Sequence, residues 1–176
     1  VNYNWGRTGA PYGGECYVGS VRSHTANFVG NYYKPGPGTD ASKMFFNLTI
    51  VAGANNPQWY VAGNTMEGSP ALTANNWDGF ANKPSDISTI KSDNLLLPPL
   101  ANLYLGTWIA YDPYKINIET AENAYQSVVN KVGTVNRDSV ERRIIRELKT
   151  GTAIFKASQG KWGIIDKSYN AEGYLT

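Results

Sequence analysis

The stretch Asn31–Thr39, NYYKPGPGT, decides how the surrounding chain is interpreted. Two tyrosines and a lysine run directly into two prolines and two glycines. Proline lacks the amide hydrogen that a sheet ladder needs and glycine favours turns, so a strand must end here and a loop must follow. Other short segments rich in Val, Tyr, Phe and Thr, bounded by Gly, Pro or Asn, also predict strands. These segments and the present one are residues 1–5, 17–21, 25–33, 44–51 and 58–67.

Residues 119–151 have a helical pattern instead. Thr120 is a suitable N-cap for one helix, and Gly133 fits the position just after its end. Asp138 can cap a second helix that Gly151 ends. We therefore expect a helical hairpin with helices near 120–132 and 138–149. Its buried apolar residues are predicted to include Val128, Val132, Ile144 and Leu148, and the polar face of the second helix consists of Glu141, Arg142, Arg143, Arg146, Glu147 and Lys149.

Composition limits the class of protein. The 176 residues are 41% hydrophobic, 12% aromatic and 17% charged, which is typical of a globular domain with a real core. A net charge of +2 is too small to favour nucleic acid or a membrane surface as a partner. The single cysteine, Cys16, and the single histidine, His24, exclude an internal disulfide and a Cys/His zinc site. The chain opens in what reads as the middle of a strand, so we expect a processed or truncated piece.

Familiar catalytic motifs are absent from the sequence. There is no P-loop, no GxGxxG after a strand, no GxSxG and no DxDxDG calcium loop. His24 is more readily a strand-surface residue than a general base, and Asp138 a helix cap rather than a catalytic carboxylate. Arg142 and Arg143 are interpreted as the solvated face of an amphipathic helix in preference to an anion site. No residue of this chain is assigned a catalytic or metal-binding role.

Aromatic and basic residues are concentrated near the N-terminus. Aromatic faces stack on sugar rings, and Lys or Arg pairs with carboxylates, so this combination suits an acidic polysaccharide. The alternative is that the tyrosines pack between strands while the cations lie in solvent, and composition alone favours it. The candidate substrate-binding residues are Arg7, Tyr12, Tyr33 and Lys34.

Several segments resemble, in order, bacterial pectate lyases of polysaccharide lyase family 1. The segments are VNYNWG (1–6), YGGE (12–15), FVGNYYKPGPGT (28–39), QWYVAGNTMEGSPALTANNWDG (58–79), TAENAYQSVVNKVG (120–133), NRDSVERRIIRELKTGT (136–152) and GIID (163–166). They are similar to family patterns such as NNVIYNWG, VNNYYKPGPAT and RRDxVDxRIxxEVxTGT. Together they extend along essentially the whole chain.

The resemblance implies an all-β fold, a right-handed parallel β-helix, with a C-terminal helical hairpin and an irregular tail. Residues 1–67 would be the last rungs of the β-helix and residues 68–118 an irregular loop region. Residues 119–151 would be the hairpin, and residues 152–176 a tail that packs on the β-helix.

The implied function is pectate lyase activity, the cleavage of polygalacturonate by calcium-assisted β-elimination in a secreted or periplasmic protein. The family's calcium ligands and catalytic arginine lie upstream of YNWG, in segments that this chain lacks. Calcium is therefore expected to bind an upstream part, and a second polypeptide is expected to supply the N-terminal half of the β-helix. Two alternatives remain: a catalytically inactive acidic-polysaccharide-binding protein on the same scaffold, and a small structural or adhesion β-protein that shares only local patterns.

Overall fold

The computed structural model describes residues 1–5, 12–16, 26–39, 44–50, 58–96, 118–156 and 162–163. Its strands are β1 (Asn2–Tyr3), β2 (Tyr12–Cys16), β3 (Ala26–Val29), β4 (Tyr32–Lys34), β5 (Phe46–Ile50), β6 (Trp59–Ala62), β7 (Thr65–Met66), β8 (Phe80–Ala81), β9 (Phe155–Lys156) and β10 (Trp162–Gly163). Its α-helices are α1 (Pro70–Ala74), α2 (Ala121–Lys131) and α3 (Ser139–Thr150). Two short 3-10 turns, Asn76–Gly79 and Ile87–Thr89, follow α1.

The strands pair in three small parallel sheets and one antiparallel pair. The parallel sheets have the orders β1–β4–β7, β2–β5–β8 and β3–β6, so each of these strands pairs with the third strand further along the chain. Strands β9 and β10 form the antiparallel pair. The sheet β1–β4–β7 positions the residues of greatest functional interest.

A glycine–asparagine turn bends the chain twice in the same way. Gly30 joins β3 to β4 with φ of 65°, and Gly63 joins β6 to β7 with φ of 64°, a left-handed conformation that suits glycine. The predicted single strands 25–33 and 58–67 are therefore two strands each. The following asparagines are linked, because the Asn64 Oδ1 accepts from both the backbone and side-chain nitrogen of Asn31 at 2.9 Å. Asn64 is fully buried and its backbone N–H donates to Asn76 Oδ1 at 2.8 Å.

The core is largely aromatic and lies between the sheets. Phe28 contacts the rings of Phe80 at 5.5 Å and Phe46 at 5.7 Å between centroids, and Trp59 lies 5.2 Å from Phe46. Edge-to-face pairs of this kind add about 0.5–1.5 kcal/mol each beyond the burial of apolar area. The buried cluster consists of Tyr33, Phe45, Leu48, Trp59, Met66, Trp77, Phe80 and Ile90.

The predicted helical hairpin is confirmed together with its caps. The Thr120 hydroxyl accepts from the Asn123 backbone N–H at the start of α2. At the start of α3, Asp138 and Glu141 form a capping box, and Gly151 ends that helix in the left-handed conformation. These caps are local, which is why the sequence alone located both helices.

The predicted burial of the hairpin is only partly right. Leu148 is buried, whereas Val128 and Ile144 are half-buried and Val132 is 55% exposed. Val132 is the C-cap of α2 and has left the helical conformation, so it no longer continues the apolar stripe. Val129 occupies the buried position instead.

The prediction of an all-β, right-handed parallel β-helix is wrong. The described residues form a small mixed α/β fold, with short, separate parallel strand pairs and three helices. Strands β3 and β6 end at Gly–Asn turns, and β4 ends before Pro35, so these strands stay short. The predicted strand 17–21 and most of the tail lie outside the described residues, and the division of the chain at residues 67, 118 and 151 stays a prediction.

Candidate functional site

The sheet β1–β4–β7 presents a polar face opposite the aromatic core. Tyr3 lies beside Lys34 in the parallel register, and Tyr32 lies beside Thr65. Because successive side chains of a strand point to opposite faces, Tyr32 and Lys34 share the outer face while Tyr33 between them points into the core. The outer face therefore brings phenol, ammonium and hydroxyl groups together.

Glu67, which follows β7, is the acceptor at the centre of this face. Lys34 Nζ lies 2.8 Å from Glu67 Oε1 and 3.0 Å from Oε2, and the Tyr32 hydroxyl donates to Oε2 at 2.8 Å. The Lys34 side chain is only 11% exposed, whereas that of Glu67 is 40% exposed. The lysine charge is thus neutralised inside the molecule.

The helix α2 covers the same face. The rings of Tyr32 and Tyr125 stack with 4.6 Å between centroids, and Lys34 Nζ lies 5.9 Å from the Tyr125 centroid. The Tyr3 hydroxyl donates to the Thr152 carbonyl just after α3, which ties the C-terminal end of that helix to β1. We call Tyr3, Tyr32, Lys34, Glu67 and Tyr125 the tyrosine–lysine cluster.

Two phenols of this cluster, those of Tyr3 and Tyr32, have raised pKa values. Burial, with a smaller contribution from the negative charges of Glu147 and Glu67, raises the pKa of Tyr3 to about 12. Burial and the hydrogen bond to Glu67 also raise the pKa of Tyr32. Neither phenol is a base near neutral pH, and both serve as donors. The cluster therefore joins the sheet β1–β4–β7 to α2, through the stacked tyrosines, and to the end of α3, through the Tyr3 hydrogen bond.

The structure describes two of the four candidate substrate-binding residues in full, Tyr33 and Lys34, and places them on opposite faces of β4. Tyr33 is 2% exposed, and its ring packs against Trp5 at 5.3 Å and Phe45 at 5.1 Å, as in the packing alternative for the tyrosines. Lys34 lies on the opposite face of the same strand, in the ion pair with Glu67. The backbone of Tyr12 lies on β2 beside Asn47, while the Tyr12 side chain and the whole of Arg7 lie outside the described residues.

A second group of cations lies on α3 and on the turn that precedes it. Arg142, Arg146 and Lys149 are exposed on α3. We call these three residues, with Lys131 at the end of α2 and Arg137 in the turn, the basic strip. Arg137 also has a structural role, because its guanidinium donates to the Val129 carbonyl at 3.0 Å and to the Val132 carbonyl at 2.6 Å.

An open depression of about 670 Å³ lies at the turn between α2 and α3. It is lined by cationic, amide and hydroxyl side chains, namely Lys131, Arg137, Arg142, Asn130, Asn136 and Thr134. A second depression of about 420 Å³ lies between the two glycine turns and the start of α2, where Glu119 and Glu122 supply carboxylates. The first depression is the more cationic of the two, although the Glu141 carboxylate accepts from its Thr134 hydroxyl at 3.0 Å.

One charged residue of α3 that the sequence predicts on the solvated face is buried in the structure. Glu147, expected on the solvated face, is fully buried. Its Oε1 accepts from Arg143 Nη1 at 2.9 Å and from the Ile154 backbone N–H at 3.2 Å. Arg143 is thereby neutralised, which separates it from its exposed neighbour Arg142. The one available sequence signal was the spacing of Arg143 and Glu147 at i and i+4.

No family model matches the chain, and neither a curated protein nor a solved structure matches it. Among the residues that the structure describes, no three His, Cys, Asp or Glu side chains come together as a potential metal site. Within the same ranges, no helix is long and apolar enough to cross a membrane.

Proposed function

We propose that this chain is part of a pectate lyase that cleaves polygalacturonate by calcium-assisted β-elimination. The proposal assigns the catalytic arginine and the calcium ligands to polypeptide outside residues 1–176. β-Elimination needs a cation to acidify the proton beside the uronate carboxylate and a base to remove that proton. The proposed role of the present chain is to bind polygalacturonate and to support the catalytic part. The tyrosine–lysine cluster contributes to support, because it stabilises the fold of this chain.

One observation carries the proposal: the segments that resemble the lyase family converge on a single cluster. Tyr32 and Lys34, from the segment 28–39, bind Glu67 from the segment 58–79. Tyr125, from the segment 120–133, stacks on Tyr32. Tyr3, from the first segment, donates to Thr152 from the segment 136–152. These contacts join the resembling segments into one structural unit, as expected for a resemblance that extends along the whole chain.

The alternative of an inactive protein that binds acidic polysaccharide is favoured by a different observation. The exposed basic strip and the amide-lined depression beside it offer binding groups that need no catalytic residue. An active lyase releases unsaturated uronide products from the polymer, whereas an inactive binding protein releases none.

The test is the absorbance of unsaturated uronide products on polygalacturonate. The 176-residue chain and the full-length product of the gene that encodes it are assayed with calcium and with a chelator. We expect product only from the full-length protein, and only with calcium. Cleavage by the chain alone contradicts our assignment of the catalytic groups. A full-length protein that binds the polymer and releases no product favours the inactive alternative.

A further inference from the structure

The exposed cations of α3 form a regular array. Arg142, Arg146 and Lys149 have the spacing i, i+4 and i+7, which places them on one face of the helix. At about 1.5 Å of rise per residue, the array extends for roughly 10 Å along the helix axis. The depression at the turn continues it toward Lys131 and Arg137. The chain thus presents a line of positive charge rather than scattered cations.

These charges are not neutralised within the described part of the chain. The ion pairs found there involve Lys34, Lys83, Lys91 and Arg143, and none includes a residue of the basic strip. Like charges at i and i+4 repel one another. Lys149 gains from its position in the last turn of α3, and the Arg142 guanidinium donates to the Arg137 backbone carbonyl, but neither contact supplies a counter-charge. An external anion would relieve this repulsion.

The groups beside the array add specificity for an acidic sugar. Guanidinium groups pair with carboxylates in a planar, two-point geometry. The amides of Asn130 and Asn136 offer donors and acceptors to sugar hydroxyl groups. The Thr134 hydroxyl offers only an acceptor, because its proton is directed to the Asn136 backbone carbonyl or to Glu141 Oε2. A net charge of +2 for the whole chain argues against nucleic acid as the occupant.

We infer that the basic strip is a binding surface for a polygalacturonate chain. Every sugar of that polymer carries a carboxylate, so a line of negative charge meets a line of positive charge. Arg142, Arg146 and Lys149 pair with carboxylates along the helix, and the depression receives adjoining sugars. This inference rests on the proposed function for the identity of the polymer, and it adds a binding surface away from any catalytic group.

The experiment compares two variants of the 176-residue chain that each lose two positive charges. The test variant is Arg146→Gln with Lys149→Gln, which leaves the structural Arg137 in place. The control is Lys83→Gln with Lys91→Gln, whose lysines pair with Asp78 and Asp93. Binding of oligogalacturonate is measured by calorimetry in the presence of a chelator, and circular dichroism confirms that both variants are folded.

We expect binding to weaken by roughly 4- to 25-fold in the test variant, since an exposed ionic contact contributes about two- to fivefold. The control should bind as the parent does. Equal losses in both variants, or no binding by the parent, overturn the inference. Binding of single-stranded DNA or anionic vesicles as tightly as oligogalacturonate also overturns it, since the surface then recognises charge alone. The lyase assay of the full-length protein is a separate measurement. If that assay detects no product, the proposed function fails, but the calorimetry still decides whether the basic strip binds oligogalacturonate.

Discussion

The tyrosine–lysine cluster and the basic strip use cations in opposite ways. In the cluster, Lys34 is mostly buried, bound to both carboxylate oxygens of Glu67 and covered by Tyr125. In the strip, Arg146 and Lys149 are exposed and have no ion pair among the described residues. A lysine whose charge is neutralised by a carboxylate of the same protein contributes little to binding an anionic ligand. Availability for binding therefore depends on tertiary pairing and not on residue type.

This difference changes the interpretation of the opening stretch. Its tyrosines and lysine suggested a surface for an acidic polymer, yet Tyr33 fills the core and Lys34 joins β4 to Glu67 just after β7. The proline–glycine loop still ends the strand, as the sequence predicted, because β4 ends at Lys34. The residues at this break serve chiefly to join β4 to its neighbours.

The largest expected effect is on stability at Tyr33. Tyr33→Ala removes a ring that is 2% exposed, and we expect the free energy of unfolding to fall by about 3–5 kcal/mol. Tyr33→Phe keeps the ring and is the control, with an expected loss below about 1.5 kcal/mol. Urea unfolding measures both variants. If Tyr33→Ala is as stable as the parent but binds oligogalacturonate more weakly, Tyr33 is a binding residue and its assignment to the core is wrong.

A smaller loss is expected at Glu67. Glu67→Ala leaves the mostly buried Lys34 ammonium without its counter-charge. Breaking a buried pair costs about 3–5 kcal/mol and an exposed pair about 0–1 kcal/mol, so for a carboxylate that is 40% exposed we expect about 1–3 kcal/mol. Asp93→Ala, which breaks the exposed Lys91–Asp93 pair, is the control and should change stability little. Equal losses in the two variants contradict the structural role of the cluster.

Alkaline pH should loosen the cluster. The phenol of Tyr3 has a pKa near 10 in an unfolded chain and about 12 in the folded protein. Between these values the folded state retains a proton that the unfolded state has lost, so stability falls as pH rises from about 10 to about 12. Tyr3→Phe should make this fall shallower. Unfolding measured across that range tests the expectation, and an unchanged slope in the variant argues against it.

The smallest expected effect on stability is at the basic strip. Arg146→Gln with Lys149→Gln changes exposed side chains that have no ion pair in the described structure, so the free energy of unfolding should stay within about 0.5 kcal/mol of the parent. Thermal unfolding at low and high salt checks this. A loss comparable with that of Glu67→Ala would mean that these cations stabilise the fold, and the contrast between the two regions would disappear.

Local signals allowed the sequence to locate the hairpin. Thr120 and Asp138 cap the two long helices, and Gly151 ends the second one. These features involve residues within a few positions of each other, so no knowledge of distant contacts is needed. The sequence also predicts that Arg142, Arg146 and Lys149 lie on the solvated face of α3, although for Arg142 and Arg143 it favours solvation over an anion site.

Distant contacts account for what the sequence missed. The faces of Tyr33 and Lys34 depend on where β4 lies between β1 and β7. The burial of Glu147 depends on how α3 packs against its surroundings. The turns at Gly30 and Gly63 divide segments that read as continuous strands, and the asparagines after them contact each other across 33 residues of sequence. The β-helix prediction failed in the same way, because it came from a resemblance and not from observed pairings.

The most direct test compares oligogalacturonate affinity in two double variants under one set of conditions. Lys34→Met with Glu67→Gln removes the cluster ion pair while keeping an acceptor for the Tyr32 hydroxyl, and Arg146→Gln with Lys149→Gln removes two charges of the basic strip. Our account predicts unchanged affinity for the cluster variant and a loss of roughly 4- to 25-fold for the strip variant. Weakened binding by a folded cluster variant, with normal binding by the strip variant, would contradict it.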